Sequence, residues 1–292
     1  MIKQLQEETK KLLQEKKIDL IIGYEKSPDG SSTPCFVEKE DEAEKLIWDE
    51  SCVYNLSDYL PELIKLRTDD HKPIAVVAKG CDVKSIVGLI QENQIKREDV
   101  LIIAMECEKQ TVNGDILEKC KFCNVHIPKI YDILIKSRQS SAVENKSSAM
   151  DADFSAFADI VEIESKSAGE RWDYWKKQFG KCIRCYACRQ VCPLCYCKEC
   201  IADQNIPQWI LPSQSLKGNV AWNIIRAYHL AGRCIGCGEC SRVCPVGIPL
   251  SKLNKKMGKV IKELFDYSSG ENSEVKPPLD DFKEKDPQDF IK

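Results

Sequence analysis

Histidine is scarce in this sequence, with three in 292 residues, so a metal site in the chain has to be built mainly from sulfur. Sulfur-rich donor sets select zinc or iron–sulfur clusters over the hard cations. The same scarcity, with no nucleophile paired to a base, argues against an independent hydrolase. Long apolar runs are missing as well. Stretches such as "IDLII" and "VLIIAM" fall far short of the roughly 20 residues that a membrane helix needs. The start, "MIKQLQEETKKLLQEKK", is charged throughout and has no apolar signal-peptide core, so the expectation is a cytoplasmic protein with no membrane span. Aromatic residues are not in excess, and no G-x-G-x-x-G phosphate loop is present.

Cysteine is what the chain has in quantity: seventeen residues, seven of them between Cys182 and Cys200 in "GKCIRCYACRQVCPLCYCKEC". A reducing compartment disfavours disulfides, so clustered thiols there are expected to be metal ligands or catalytic groups. Charge is distributed unevenly around them. The net charge is -3, yet residues 170–264 hold sixteen Lys and Arg against six Asp and Glu. A basic segment can signal nucleic acid, but no helix-turn-helix, stacking-aromatic or zinc-finger pattern accompanies this one. Thiolate-bound clusters carry net negative charge, which nearby Lys and Arg offset.

Hydrophobic patterning divides the chain. Residues 1–137 read as a small parallel-sheet α/β domain: an amphipathic helix over about 2–16, then "DLIIGY" (19–24), "PIAVVAKGCD" (73–82), a helix over 83–94 and "DVLIIAMEC" (99–107). Residues 138–165 are polar and Ser-rich, which suggests a linker. A helix restarts at "SAGE" (167–170), a Ser-x-x-Glu capping box, with Trp172, Trp175 and Phe179 as an apolar face read as core packing between domains and Gly180 as the stop. Residues 166–265 form the cysteine-rich module, and 266–292 an acidic, Pro-containing tail. Two readings of that tail stay open: a disordered end, or an arm that orders on a partner subunit.

Two matching runs carry the chemistry. "CIRCYACRQVCP" holds Cys182, Cys185, Cys188 and Cys192; "CIGCGECSRVCP" holds Cys234, Cys237, Cys240 and Cys244. Both are C-x2-C-x2-C-x3-C-P, the bacterial ferredoxin run, whose fourth cysteine ligates the other cluster. The expected sets are Cys182, Cys185, Cys188 and Cys244 on one 4Fe-4S cluster, and Cys234, Cys237, Cys240 and Cys192 on the second. A zinc site does not use a third cysteine at this interval in both runs. Cys188, Cys192 and Cys195 also show the C-x3-C-x2-C spacing of radical enzymes, but only 97 residues follow, too few for a barrel around a substrate. Forty-one residues separate the runs, and "GNVAWNIIRAYHLAGR" (218–233) within them reads as helix, as does "PLSKLNKKMGKVIKELF" after the second run. The module is thus expected to be an α-helical dicluster ferredoxin domain, resembling the cluster domains of heterodisulfide reductase small subunits. His229 is expected to be a packed or surface residue.

A third site is suggested in the first domain. Cys81 ends one strand where a helix begins, and the helix N-terminus is expected to lower its thiol pKa. Cys107 ends the next strand, and parallel strands bring both to one carboxyl edge. Cys120 and Cys123, as "CKFC", supply a close pair. Three readings stay open for this set: a third 4Fe-4S cluster, zinc, or structural thiols beside an unrelated pair. Cys195, Cys197 and Cys200 are unassigned, with Cys35 and Cys52 as conceivable fourth ligands but, taken singly, ordinary buried thiols.

On "KGCD", "MEC", "CKFC" and "GKCIRCYACRQVCPLCYCKEC", the chain resembles the beta-subunit family of deazaflavin-linked hydrogenases and formate dehydrogenases, in the form with a C-terminal dicluster module. The resemblance implies an iron–sulfur electron-transfer subunit of an anaerobic multisubunit oxidoreductase. Its partners would be a formate dehydrogenase or hydrogenase catalytic subunit and a heterodisulfide reductase-type flavoprotein. It also implies FAD. Here the chain departs from the family, since only about forty residues lie between Cys123 and the dicluster module, where family members carry a flavin-binding half. Two rival functions are a flavoenzyme that itself oxidises or reduces a deazaflavin or nicotinamide, and a zinc or nucleic-acid-binding module.

Overall fold

In a computed structural model, which describes residues 1–67, 71–123, 125–137 and 157–287, the chain forms two units: Met1–Ala152 with Gly270–Ser273, and Asp153–Ser269 with Glu274–Lys292.

The first unit is a five-stranded mixed sheet. Its elements in chain order are α1 (Ile2–Gln14), β1 (Ile21–Lys26), β2 (Ser32–Val37), α2 (Leu60–Lys65), β3 (Ile74–Ala78), α3 (Gly80–Gln91), β4 (Val100–Met105), the small hairpin β5 (Thr111–Val112) and β6 (Asp115–Ile116), α4 (Glu118–Lys121) and β7 (Ile133–Ile135). The strand order is β2-β1-β3-β4-β7. β1, β3, β4 and β7 run parallel, and β2 pairs with β1 antiparallel. The sheet is therefore not purely parallel, as the sequence suggested. Pro34 lies in β2, and proline, which donates no ladder hydrogen bond, is tolerated because β2 is an edge strand. At the centre, every residue of β3 is buried, the pattern of a strand covered on both faces. Leu5, Thr9 and Leu12 form the buried stripe of α1.

The apolar run 73–82 exceeds its strand, because β3 stops at Ala78 and α3 begins at Gly80. Asp82 enforces this change: its carboxylate accepts from the Lys79 backbone N–H at 3.0 Å and places negative charge in the first turn of α3. Gly80 is required by close approach. A Cβ there would lie 2.5 Å from Val125 Cγ1 and 2.6 Å from the Val125 carbonyl oxygen. Gly80→Ala is expected to destabilise the chain by about 1–3 kcal/mol through overpacking, read as a lowered urea midpoint in equilibrium unfolding.

The second unit is helical: α5 (Val161–Glu164), α6 (Ala168–Gly180), α7 (Ala187–Gln190), α8 (Leu216–His229), α9 (Glu239–Arg242) and α10 (Leu250–Phe265). Its core contains Phe179, Cys188, Ile210, Trp222, Cys240, Ile248 and Leu250. The Ser167–Glu170 capping box forms in both directions. Of the aromatic face on α6, Phe179 is fully buried and stacks on Trp175 with centroids 5.5 Å apart, whereas Trp172 is exposed; the face serves this unit's own core. α6 ends at Gly180 as expected, though Gly180 is its last helical residue and not a left-handed cap, and the C-cap, Lys181, is in right-handed conformation. Of the segment read as linker, 138–156 lies outside the described residues. The linker reading does not extend to 157–165, where Ile160 and Ile163 are buried and Asp159 pairs with Lys255 at 2.7 Å. One helical turn is too short to show as a periodicity.

Candidate metal centres

The two cysteine runs fold alike. In the second, Gly236 and Gly238 have φ of 73° and 70°, and α9 starts at the next residue. In the first, the equivalent positions are Arg184 and Tyr186, both at φ 58°, and α7 starts immediately after. Non-glycine residues avoid this left-handed region at a cost of about 1–2 kcal/mol each. Side-chain anchoring offsets that cost. The Arg184 guanidinium donates to the Gly218 and Leu211 carbonyls at 2.7 and 3.0 Å and to the Tyr186 hydroxyl at 3.0 Å, while the Tyr186 ring packs edge-on against Trp222. One loop shape is thus built twice, once with glycine and once with tethered side chains.

These loops bring the thiols together crosswise. Cys182, Cys185, Cys188 and Cys244 line one pocket, closed by Tyr186, Trp222 and Ile248. Burial pushes the Cys188 thiol up, and the neighbouring thiols that add to this are Cys182, Cys185 and Cys244. Cys192 leaves its own run in the same way. Burial pushes Cys234 up to about 11 and Cys240 up to about 12, and Cys192 adds to both shifts and to that of Cys237. Such groups are neutral thiols until a cation takes the proton's place, and metal coordination deprotonates a thiol outright. Backbone and side-chain donors already point at two sulfurs: the Ile248 N–H at Cys244 Sγ (3.4 Å) and Asn254 Nδ2 at Cys240 Sγ (3.7 Å). The all-sulfur donor sets and these inward donors fit iron–sulfur clusters.

In the first unit, Cys81 lies in the opening turn of α3, Cys107 just past β4 and Cys120 in α4. β3 and β4 are parallel with Ala78 opposite Ala104, so both strand ends open on one edge, as expected. Cys107 is tied there by its N–H to the His126 carbonyl (2.9 Å), and its sulfur accepts from Gln110 Nε2 at 3.3 Å. The four thiols are electrostatic neighbours in sequence, Cys81 to Cys107, Cys107 to Cys120 and Cys120 to Cys123. Cys123 is exposed. The expected lowering of the Cys81 pKa does not hold. Burial pushes that thiol well up, the Asp82 carboxylate adds to it, and Lys119 and Lys79 offset it only in part. The helix N-terminus is outweighed by the desolvation of the thiolate. Sequence reasoning missed Lys79, which is 1% exposed with its ammonium 2.9 Å from Asp82 and bonded to the Tyr24 hydroxyl and Tyr54 carbonyl. Its signal was available, since the lysine directly follows the apolar run "AVVA", the pattern of a strand covered on both faces. Among the described residues, no three His, Cys, Asp or Glu side chains are grouped as for a single metal ion.

Cys195 and Cys192 are hydrogen-bonded to one another; that bond and the Arg226 guanidinium make Cys195 the more acidic of the pair. Cys200 lies against Arg189, which also pairs with Asp203 at 2.6 Å, and Cys197 is exposed. Cys35 and Cys52 are buried, and desolvation pushes their thiols up to about 12 and about 11. His229 is exposed at the end of α8.

Residues 178–248, which hold the twin cysteine loops, match the family described as "4Fe-4S dicluster domain". Over 106 residues, 36% of its length, the chain is 36% identical to the F420-dependent formate dehydrogenase subunit beta of Methanocaldococcus jannaschii, covering 27% of that protein. It is 33% identical over the same length to the F420-dependent formate dehydrogenase 1 subunit beta of Methanococcus maripaludis, covering 26% of it. The resemblance to the beta-subunit family seen in the motifs is borne out by these relatives. The match spans about a quarter of the length of each.

Proposed function

We propose that this chain is an iron–sulfur electron-transfer subunit of an anaerobic multisubunit oxidoreductase. It would relay electrons between a formate dehydrogenase or hydrogenase catalytic subunit and a flavoprotein of the heterodisulfide reductase type. The observation that carries the reading is the pocket shared by Cys182, Cys185, Cys188 and Cys244, which lie in separate runs of the sequence. When bound, 4Fe-4S clusters supply one-electron chemistry at potentials set by their surroundings. Cys182, Cys185, Cys188 and Cys244 would hold one cluster, and Cys234, Cys237, Cys240 and Cys192 the second. Cys81, Cys107, Cys120 and Cys123 would hold a third, with Lys79 offsetting its negative charge. The protein's own contribution is to bury the thiols, aim donors at their sulfurs and exclude water.

The test is anaerobic purification of the native complex, with its subunits identified and its iron, sulfide, zinc and flavin counted. Iron and sulfide for three clusters, co-purifying with a formate dehydrogenase or hydrogenase subunit, support the reading; zinc in place of iron, or stoichiometric flavin in this chain alone, overturns it. Within that preparation, Cys81→Ser is expected to remove one cluster's share of iron while the reduced dicluster EPR signals persist.

A further inference from the structure

The helix between the two cysteine runs carries one buried cation that the ferredoxin motif does not account for. Arg226, on α8, is 5% exposed. Its Nη2 donates to the Cys188 carbonyl at 2.8 Å, which ties it to the first run, and its charge favours the ionised form of the Cys195 thiol, three residues past Cys192. The groups that act most strongly on its charge are four thiols, Cys192, Cys195, Cys240 and Cys188. Cys188 belongs to one proposed ligand set, and Cys192 and Cys240 to the other. Its Nε is buried without a hydrogen-bond partner. A buried guanidinium N–H left unpaired is costly, and its partner is expected to be a group absent from the polypeptide itself.

We propose that Arg226 is a positioning residue common to both clusters, with its Nε–H directed at a cluster sulfur and its charge raising both reduction potentials together. The inference rests on the dicluster reading above. Arginine stays protonated under all working conditions. Each cluster gains one negative charge on reduction, so a fixed cation in a desolvated site favours the reduced form, and more strongly than it would in water. Because the field of this one buried guanidinium reaches thiols of both sets, its removal affects both potentials. A cation facing one set alone would affect only that one.

The experiment is an EPR-monitored redox titration of the full chain, purified without oxygen, with iron and sulfide counted in each sample. Arg226→Gln is expected to retain wild-type iron and sulfide, to lower both dicluster midpoint potentials and to leave a signal dependent on Cys81 unmoved. Arg226→Lys, which keeps the charge but has no Nε–H and no fork, is expected to lower both by less. If Arg226→Gln proves unable to hold its clusters, Arg226→Lys decides the matter. Fully loaded variants whose midpoints match wild type, or in which only one midpoint moves, overturn the proposal. A wild-type chain free of iron would instead defeat the dicluster reading on which it rests.

Discussion

Cys244→Ser is expected to strip iron from the site made by Cys182, Cys185 and Cys188, and to leave the iron at Cys234, Cys237 and Cys240, the members of its own run, in place. In the folded chain Cys244 lines the first run's pocket, and its thiol is among those that raise Cys188. A count of iron alone does not separate this from an uncrossed arrangement, since either predicts the loss of one cluster. Double variants do. Cys244→Ser with Cys185→Ser should lose no more iron and sulfide than either change alone, because both act on one site. Cys244→Ser with Cys237→Ser should empty the dicluster domain. The opposite pattern would show each run closing on its own cluster. Cys244 is a better choice for this than Cys192, because Cys195 is hydrogen-bonded to Cys192 and could take over its role.

The placement of Cys244 beside Cys182, Cys185 and Cys188 was legible because the ferredoxin run sends its fourth cysteine, next to proline, to the other run's site. The strand-end placement of Cys81 and Cys107 was legible for a similar reason, as buried β-rich runs must end at one edge if parallel. What sequence reading missed has physical causes too. β2 and β7 are edge strands of the sheet, and β7 has only three residues, below the length at which alternation is visible. The left-handed loop at Arg184 and Tyr186 was hidden because neither residue advertises positive φ. Gly236 and Gly238 do, and superposing the two runs would have transferred that conformation. Arg226 in "NIIRAYHL" was not singled out, since burial of a single arginine leaves no trace in periodicity. The Cys81 pKa was misjudged because a helix terminus can be read from sequence, whereas the desolvation that overrides it cannot.

Lys79→Met is expected to be among the most destabilising single changes in the first unit, at about 3–5 kcal/mol, the usual cost of leaving one member of a buried ion pair alone. Lys79 and Asp82 are 1% and 0% exposed, with 2.9 Å between ammonium and carboxylate. Burial by itself would favour neutral Lys79. The Asp82 carboxylate more than offsets that and holds the ammonium protonated above the ordinary lysine range. Methionine fills much of the same volume, so the loss is electrostatic: Asp82 keeps its charge, its bond to the Lys79 backbone N–H and its place in α3, but no cation. Set against a typical total stability of 5–15 kcal/mol, that is enough to populate unfolded chain. Trp48 supplies the probe, being the first unit's lone tryptophan and lying 6.0 Å from the Tyr24 ring and 5.9 Å from the Lys79 ammonium. Urea unfolding followed through Trp48 fluorescence should show the loss, and Lys79→Met with Asp82→Asn should recover part of it, because the pair is then removed as a unit. Equal stability of Lys79→Met and wild type would mean that the buried pair adds little net stability. The same variant also removes the buried cation that acts on both Cys81 and Cys107, leaving Lys119 to act on Cys81, so iron retention at the proposed third site should fall with it. Asp82→Asn alone, which keeps the ammonium, should spare the iron better than Lys79→Met does; the reverse order would assign charge compensation at this site to some group other than Lys79.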